Sequence, residues 1–164
     1  DEENVRTVLT RNALLLSEQL LRIQGKVEMF LSIQWTASNV FQYFIERYPE
    51  LAQSRDYVAS GQASREEQIE VGRQFEQLLR FEREKYTAQV ESILQPVCVE
   101  YESQPLRVEA EILRIACLIE RDAESAFTDA VYQAASHFDD AFNFAFNGPW
   151  PPYSFVKLAL SMES

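Results

Sequence analysis

Glycine, cysteine and histidine are all scarce in this 164-residue chain, which has four Gly, two Cys and one His. Four glycines leave little material for a phosphate cradle, and neither a G-x-G-x-x-G turn nor a P-loop occurs. A lone histidine, His137, provides no His-rich metal set and no Ser-His-Asp or Cys-His pair. It reads as a surface or capping residue near the end of the last helix. Cys98 and Cys117 form no C-x-x-C and sit in separate strand-like runs, as small core residues do in a reducing compartment. If those strands form a hairpin around Gln104 to Arg107, Cys98 falls opposite roughly Leu113. It then lies on the order of 13 Å from Cys117 at strand rise, too far for a disulfide. Positive charge is also short: 15 Lys and Arg stand against 26 Asp and Glu, for a net charge of −11. That balance, with no basic cluster, argues against nucleic acid and anionic membrane surfaces as partners. No apolar run approaches the length of a bilayer span, and no charged-then-apolar leader precedes a cleavage site.

What is present is an ordinary globular composition, 46% hydrophobic and 25% charged, in enough chain for one domain with a proper core. Residues 1–164 are read as a single α+β domain. A leading helix is expected from Glu3 to Ile23, with Val5, Val8, Leu9, Leu16, Leu20 and Ile23 at helical spacing and Gly25 ending it. Lys26 to Trp35 alternates strictly, with Val27, Met29, Leu31, Ile33 and Trp35 on one face, as in a half-buried strand. Helices follow over Asn39–Tyr48, Glu50–Ala59 and Arg65–Leu94. The long one carries Ile69, Phe75, Leu79, Tyr86, Val90 and Ile93 as its stripe, and i,i+4 charge pairs such as Glu76 with Arg80 on a solvated face.

Pro96 ends that helix, and Val97, Val99 and Tyr101 alternate with Cys98, Glu100 and Glu102 in a second strand. Ala110 to Ile119 is a third strand, apolar on both faces towards its end and therefore central. Asp122 is placed to cap the next helix, which carries Phe127, Val131, Ala134, Ala135 and Phe138. Phe142, Phe144 and Phe146 mark a fourth strand. The core order β-α-β-β-α-β over 26–147 is the ferredoxin-like split βαβ. Its first crossover is enlarged by helices over about 38–94, a leading helix over 1–25 precedes it, and a C-terminal segment over 148–164 is appended. Apolarity puts strands one and three in the centre of the sheet.

No catalytic constellation stands out. Glu100 and Glu102 point the same way from one strand, and solvation of an edge face explains them without perturbed carboxylates. Glu120, Arg121 and Asp122 cluster at a strand-to-helix junction, where capping and an ion pair account for them. No catalytic, cofactor-binding or metal-ligating residue is assigned, and the chain does not read as an enzyme.

The most distinctive stretch is Gly148-Pro149-Trp150-Pro151-Pro152-Tyr153-Ser154-Phe155-Val156. Its prolines fix φ and remove donors, so it is neither helix nor central strand but a stiff, extended strap. Its aromatics either clasp the domain's own core or present a docking surface. Phe146-Asn147 running into this strap resembles the C-terminal signature of the gas vesicle protein F/L family (GvpF/GvpL). Gly25 to Trp35 is similar to that family's first strand after a leading helix. Leu113 to Asp122 is similar to its apolar strand with an acidic-basic-acidic cap. Phe30 stands where the family often has a small residue, which leaves the F and L branches both open.

Members of the family usually carry an N-terminal α/β domain that has no counterpart here, so the chain resembles the C-terminal domain of a longer protein. The resemblance implies an accessory gas vesicle protein, cytoplasmic and associated with gas vesicles. It would bind the hydrophobic shell protein, limit its aggregation and assist nucleation and assembly, alongside other accessory proteins and without cofactor, nucleic acid or membrane. The alternatives are a minor structural component of the shell and, from fold alone, a cofactor-binding enzyme on the same kind of sheet. Val97, Val99 and Tyr101 on the second strand, and Trp150 and Tyr153 in the strap, are the expected partner-facing residues. Gly148, Pro149, Trp150, Pro151, Pro152 and Tyr153 are the expected structural strap.

Overall fold

The computed structural model describes residues 2–157 and 159; the remainder of the expected 148–164 segment lies outside the described residues. Helices α1 (Glu2–Arg11) and α2 (Ala13–Ile23) lead into strand β1 (Lys26–Trp35). Helices α3 (Val40–Arg47), α4 (Pro49–Ala59) and α5 (Arg65–Leu94) form the connection to β2 (Glu100–Ser103). Strand β3 (Glu111–Glu120), helix α6 (Glu124–Ala135) and strand β4 (Phe142–Trp150) complete the order. The four strands form one sheet in the order β2-β3-β1-β4, and every neighbouring pair is antiparallel. β1 and β3 are central, as their apolar runs require.

The alternation in β1 maps directly onto the two faces of the sheet. Met29, Leu31 and Ile33 stand opposite Cys117, Ile115 and Leu113 of β3, and all six are buried. Together with Val90 and Leu94 of α5 and Phe127, Val131 and Ala134 of α6, they form the main core. β4 adds Phe142, Phe144 and Phe146 on the same face, where Phe138 packs edge-on against Phe142 and Phe144 at 5.0 Å between ring centroids. Ala116 and Leu118 point to the opposite face and are equally inaccessible, so β3 is buried on both sides.

Several elements depart from the reading of the sequence. The single leading helix is interrupted at Asn12, whose side-chain amide donates to Val8 O at 2.8 Å in competition with the helical ladder. No residue of α1 and no apolar residue of α2 is buried. The expected stripe is only half covered at Val8, Leu16 and Ile23, and Val5, Leu9 and Leu20 are exposed. Asp122 is not a helix cap: it lies in a 3-10 turn, Arg121–Ala123, and Ala123 occupies the cap position without a side-chain bond. On α5, Ile69 is exposed, and Glu82, on a helix read as charged and solvated away from its stripe, is buried. Its carboxylate accepts from Lys85 Nζ at 3.2 Å and holds the hydroxyls of Tyr48 and Tyr86. Burial, then Glu82, pushes the Tyr48 hydroxyl up to about 12. A buried carboxylate persists only with such partners, and this one ties the α3–α4 junction to α5.

Cys98 and Cys117 are both free thiols, but the expected register is wrong. Tyr101 lies opposite Cys117 and Glu100 opposite Leu118, so Cys98 sits beyond Leu118 and not opposite Leu113. Its thiol interacts with that of Cys117, which holds the Cys98 pKa down. The connection between β2 and β3 is longer than the hairpin assumed, which slides the pairing along. Together, Cys98 and burial push the Cys117 thiol up, so it stays neutral and unreactive.

Hydrogen exchange reports this layering. Leu31, Ile33, Ile115 and Cys117 should be the slowest amides of the chain under native conditions. Faster exchange there than at Val99 would contradict the two-sided burial of the central pair.

Candidate functional site

Two surfaces collect the residues that the sequence marks as partner-facing: the strap and the outer edge of β2. The strap begins as strand. β4 continues through Gly148 and Pro149 to Trp150, three residues further than the strand read from the sequence as ending at Asn147, and a bulge opposite Glu28 and Phe30 absorbs the change. β4 is an edge strand, where proline is tolerated. Gly148 has φ +132, and a Cβ there would meet Met29 Sδ at 2.7 Å and Glu28 O at 2.8 Å. Only glycine lets the strap pass this close to β1.

Beyond Trp150 the chain turns through Tyr153–Phe155 and crosses the face of the sheet opposite α5 and α6. Phe155 is the anchor, 2% exposed against Ala116 and Leu118. Polar contacts hold it there. Ser154 donates its N–H and its hydroxyl to the two oxygens of Glu28, both at 2.8 Å, which is how Glu28 is buried without a cation. Arg22 of α2 donates Nη1–H to Phe155 O at 3.1 Å and forms a bidentate pair with Glu100. Lys157 Nζ lies 3.2 Å from Glu102. Glu100 and Glu102, read as a solvated pair, thus both hold neighbouring segments. The bond from Arg22 keeps the Glu100 carboxyl below the usual carboxylate range.

The same strap presents its other aromatics outward. Trp150 is 52% exposed and Tyr153 77%. The Trp150 indole N–H donates to Asn147 Oδ1 at 2.7 Å, which orients the ring beside Pro151 and Pro152. A groove of about 460 Å³ opens there, with Gly25, Lys26 and Arg121 on its far wall. Trp150 is therefore not the buried clasp residue that an inward-packed strap needs; Phe155 is.

At the other edge, β2 is only four residues long. Val97 lies before it, in the turn closing α5, where its N–H donates to Leu94 O at 3.0 Å and its side chain packs on the core. The N–H of Val99 donates inward to Leu118 O at 2.8 Å. Val99 and Tyr101 side chains are 47% and 45% exposed. Gln104 N–H donates to Arg114 O at 2.8 Å, in the register that pairs Glu100 with Leu118, so from Glu100 onward the hydrogen-bonded positions are the even-numbered ones, Val99 lying before the regular ladder. Alternation then turns the main-chain groups of Tyr101 and Ser103 outward, to an edge that no strand among the described residues covers. Leucines 14, 20 and 21 of α2 are exposed as well.

Among the described residues, no group of three or more His, Cys, Asp or Glu side chains is placed to hold a metal, and no helix is long and apolar enough to cross a membrane. His137 is exposed at the end of α6. The sequence marks Phe155 only as one of the strap aromatics and does not single it out as anchor, and it offers no signal for Arg22, Glu28 and Ser154 as its holders, because their partners lie some 80 to 130 residues away.

Two measurements separate the roles within the strap. Phe155→Ala should destabilise the protein by about 3–5 kcal/mol, the range for large buried aromatics. Trp150→Ala, at a half-exposed site, should cost well under half of that by chemical denaturation; equal losses would put the clasp at Trp150. The second is the acid dependence. A carboxyl with a depressed folded pKa stabilises fully above its unfolded value, about 4.3 for Glu, and that contribution disappears as pH falls through the folded value. The melting temperature of the wild type should therefore fall more steeply between pH 5 and pH 3 than that of Glu100→Gln. The difference should be small and shrink in salt, since the pair is partly exposed; parallel curves would show that the pair does not stabilise the fold.

The family model described as "Gas vesicle synthesis protein GvpL/GvpF" matches residues 1–157. Gas vesicle protein F of Dolichospermum flosaquae is 27% identical over 143 residues, spanning 87% of this chain and 58% of the relative. Gas vesicle protein F of Nostoc sp. PCC 7120 is 28% identical over 145 residues, 88% of this chain and 59% of the relative. The crystal structure of the gas vesicle protein GvpF from Anabaena sp. PCC7120 superimposes with a TM-score of 0.86 at 25% identity, over 97% of this chain and 65% of that one. GvpF from Microcystis aeruginosa, 23% identical with a TM-score of 0.78, covers 93% of this chain and 63% of its own and shares the fold. The chain thus spans less than two thirds of the length of these relatives.

Proposed function

Because this chain belongs to the GvpL/GvpF family of gas vesicle synthesis proteins, we propose that it is an accessory protein that binds the hydrophobic shell protein, limits its aggregation and assists vesicle assembly. It does so as one α+β domain on a ferredoxin-like split βαβ. The antiparallel order β2-β3-β1-β4 with helices on one face supports that topology. It works at gas vesicles in the cytoplasm, with other vesicle proteins as partners, and by binding rather than catalysis.

The observation that carries this reading is the open edge of β2. Outward main-chain groups at Tyr101 and Ser103, flanked by the exposed side chains of Val99 and Tyr101, are what an added strand of another chain pairs with. Exposed leucines on α2 and the outward Trp150 and Tyr153 supply further apolar surface of the kind that marks protein contacts. A net charge of −11 keeps copies of the domain apart while they cover a sticky subunit. The strap residues Gly148, Pro149, Pro151 and Pro152 act structurally, by aiming Trp150 and Tyr153 outward while Phe155 is held.

Light scattering of the shell protein, with and without the domain, tests the activity. Ser103→Pro tests the edge: it removes an outward N–H and leaves the bonds to β3 intact, in an edge strand that accommodates proline. With circular dichroism unchanged, suppression of scattering should fall severalfold. Undiminished suppression by Ser103→Pro would remove the edge mechanism, and no suppression by the wild type would remove the function proposed for this domain. Retention on washed, intact vesicles in place of suppression would favour a minor structural component of the shell.

A further inference from the structure

A second groove, of about 610 Å³, lies between α5 and the connection from β2 to β3. Its charge is out of character with the chain. Arg80 and Arg83 of α5 and Arg107 of the connection line it, against Glu76 and Glu109; the whole protein carries 26 acidic residues to 15 basic ones. The i,i+4 pair expected between Glu76 and Arg80 is not formed. Among the described residues, no carboxylate lies within 4.0 Å of the guanidinium of Arg80, Arg83 or Arg107.

Arg83 is already committed to the fold. It donates Nε–H to Glu111 O at 2.9 Å and Nη2–H to Glu109 O at 2.6 Å, with its plane 5.9 Å from the Trp35 ring. It thereby fixes the connection against α5 and forms the floor of the groove. Burial lowers its pKa, outweighing the opposing pull of Glu109 and Glu111. Arg80 and Arg107 are exposed and free to receive a ligand. Between them stand Phe75, half-buried, and Leu106 and Val108, 39% and 56% exposed.

The mixture defines the ligand. Planar guanidinium forks receive carboxylates bidentately. Exposed apolar side chains alongside them disfavour a bare inorganic anion, and the acidity of the chain disfavours a nucleic acid. The volume suits a few side chains of a peptide. We propose that this groove docks a carboxylate-bearing apolar segment of a partner protein, with Arg80 and Arg107 receiving its carboxylates and Phe75, Leu106 and Val108 its apolar side chains. This surface is separate from the β2 edge and the strap, so the protein can hold two partner segments at once.

The test uses two labelled peptides, acetyl-Leu-Glu-Leu-Glu-Leu-Glu-amide and its Lys-for-Glu counterpart, titrated with the protein by fluorescence anisotropy at low salt. The acidic peptide should bind and the basic one should not. Arg80→Glu combined with Arg107→Glu should weaken the acidic peptide at least tenfold, and raising the salt should weaken it likewise. Amide shifts in the wild type, which need no variant to fold, should centre on residues 75–83 and 106–109. Absence of binding at millimolar peptide, equal binding of both peptides, an unaffected double variant, or shifts centred on β2 or the strap would each overturn the proposal. The double variant leaves the β2 edge intact, so shell-protein suppression by that variant reports on the edge separately.

Discussion

Two-sided burial of the β1–β3 pair is the constraint on which the rest of the molecule depends. β3 is inaccessible from Ile112 to Ile119, and β1 is paired on both sides. Main-chain groups in such a position have no access to water and must be bonded within the sheet. That requirement fixes β4 and β2 as flanks. The apolar side chains on one face then need α5 and α6, and those on the other need a second cover. The enlarged crossover answers the first need: α5 packs Leu79, Val90 and Leu94 into the core, and the Glu82 cluster ties it to the α3–α4 junction. The strap answers the second, with Phe155 sealing Ala116 and Leu118.

Covering the second face with a strap instead of a helix has consequences for binding. The strap makes only short turn bonds of its own, around Tyr153–Phe155, so other groups are satisfied from outside, and the side chains of Glu28 and Arg22 do this. Proline-rich chain is stiff, so residues not used as anchors are held outward instead of collapsing onto the sheet. Trp150 and Tyr153 owe their exposure to this. Inward packing and outward aromatics, which look like alternatives in the primary structure, are two sides of one segment: Phe155 is buried while Trp150 and Tyr153 are exposed. Similarly, Arg83 holds the β2–β3 connection against α5 and in doing so creates the groove that Arg80 and Arg107 line. In both places a fold-stabilising contact positions an exposed, chemically distinct surface beside it.

Much of the architecture is legible in the sequence. The alternation over Lys26–Trp35 and the long stripe ending before Pro96 locate β1 and α5 at their observed bounds, and apolarity of the third strand indicates its central position. The family signature in the strap is also local. These features are set by residues close in sequence, where periodicity, proline geometry and burial leave few choices. Less was readable wherever two segments had to meet. The β2–β3 register slipped because it depends on where a seven-residue connection turns, not on either strand's pattern. The leading helix looks amphipathic, yet its stripe is mostly uncovered, because periodicity specifies a face and not what lies against it. Glu82 appears solvated until Tyr48 and Tyr86 are brought to it.

The amino-acid sequence alone therefore determined most of the elements, the central strands, the net acidity, and the family. It did so because each rests on local spacing or on composition. Tertiary structure alone decided that Phe155 and not Trp150 is the anchor, that Glu100 pairs with Arg22, that Tyr101 and Ser103 turn their main chain outward, and that Arg80 and Arg107 are left without carboxylate partners. Those outcomes depend on distances between groups far apart in the chain, and such distances exist only once the sheet has set the register and the helices have closed over it.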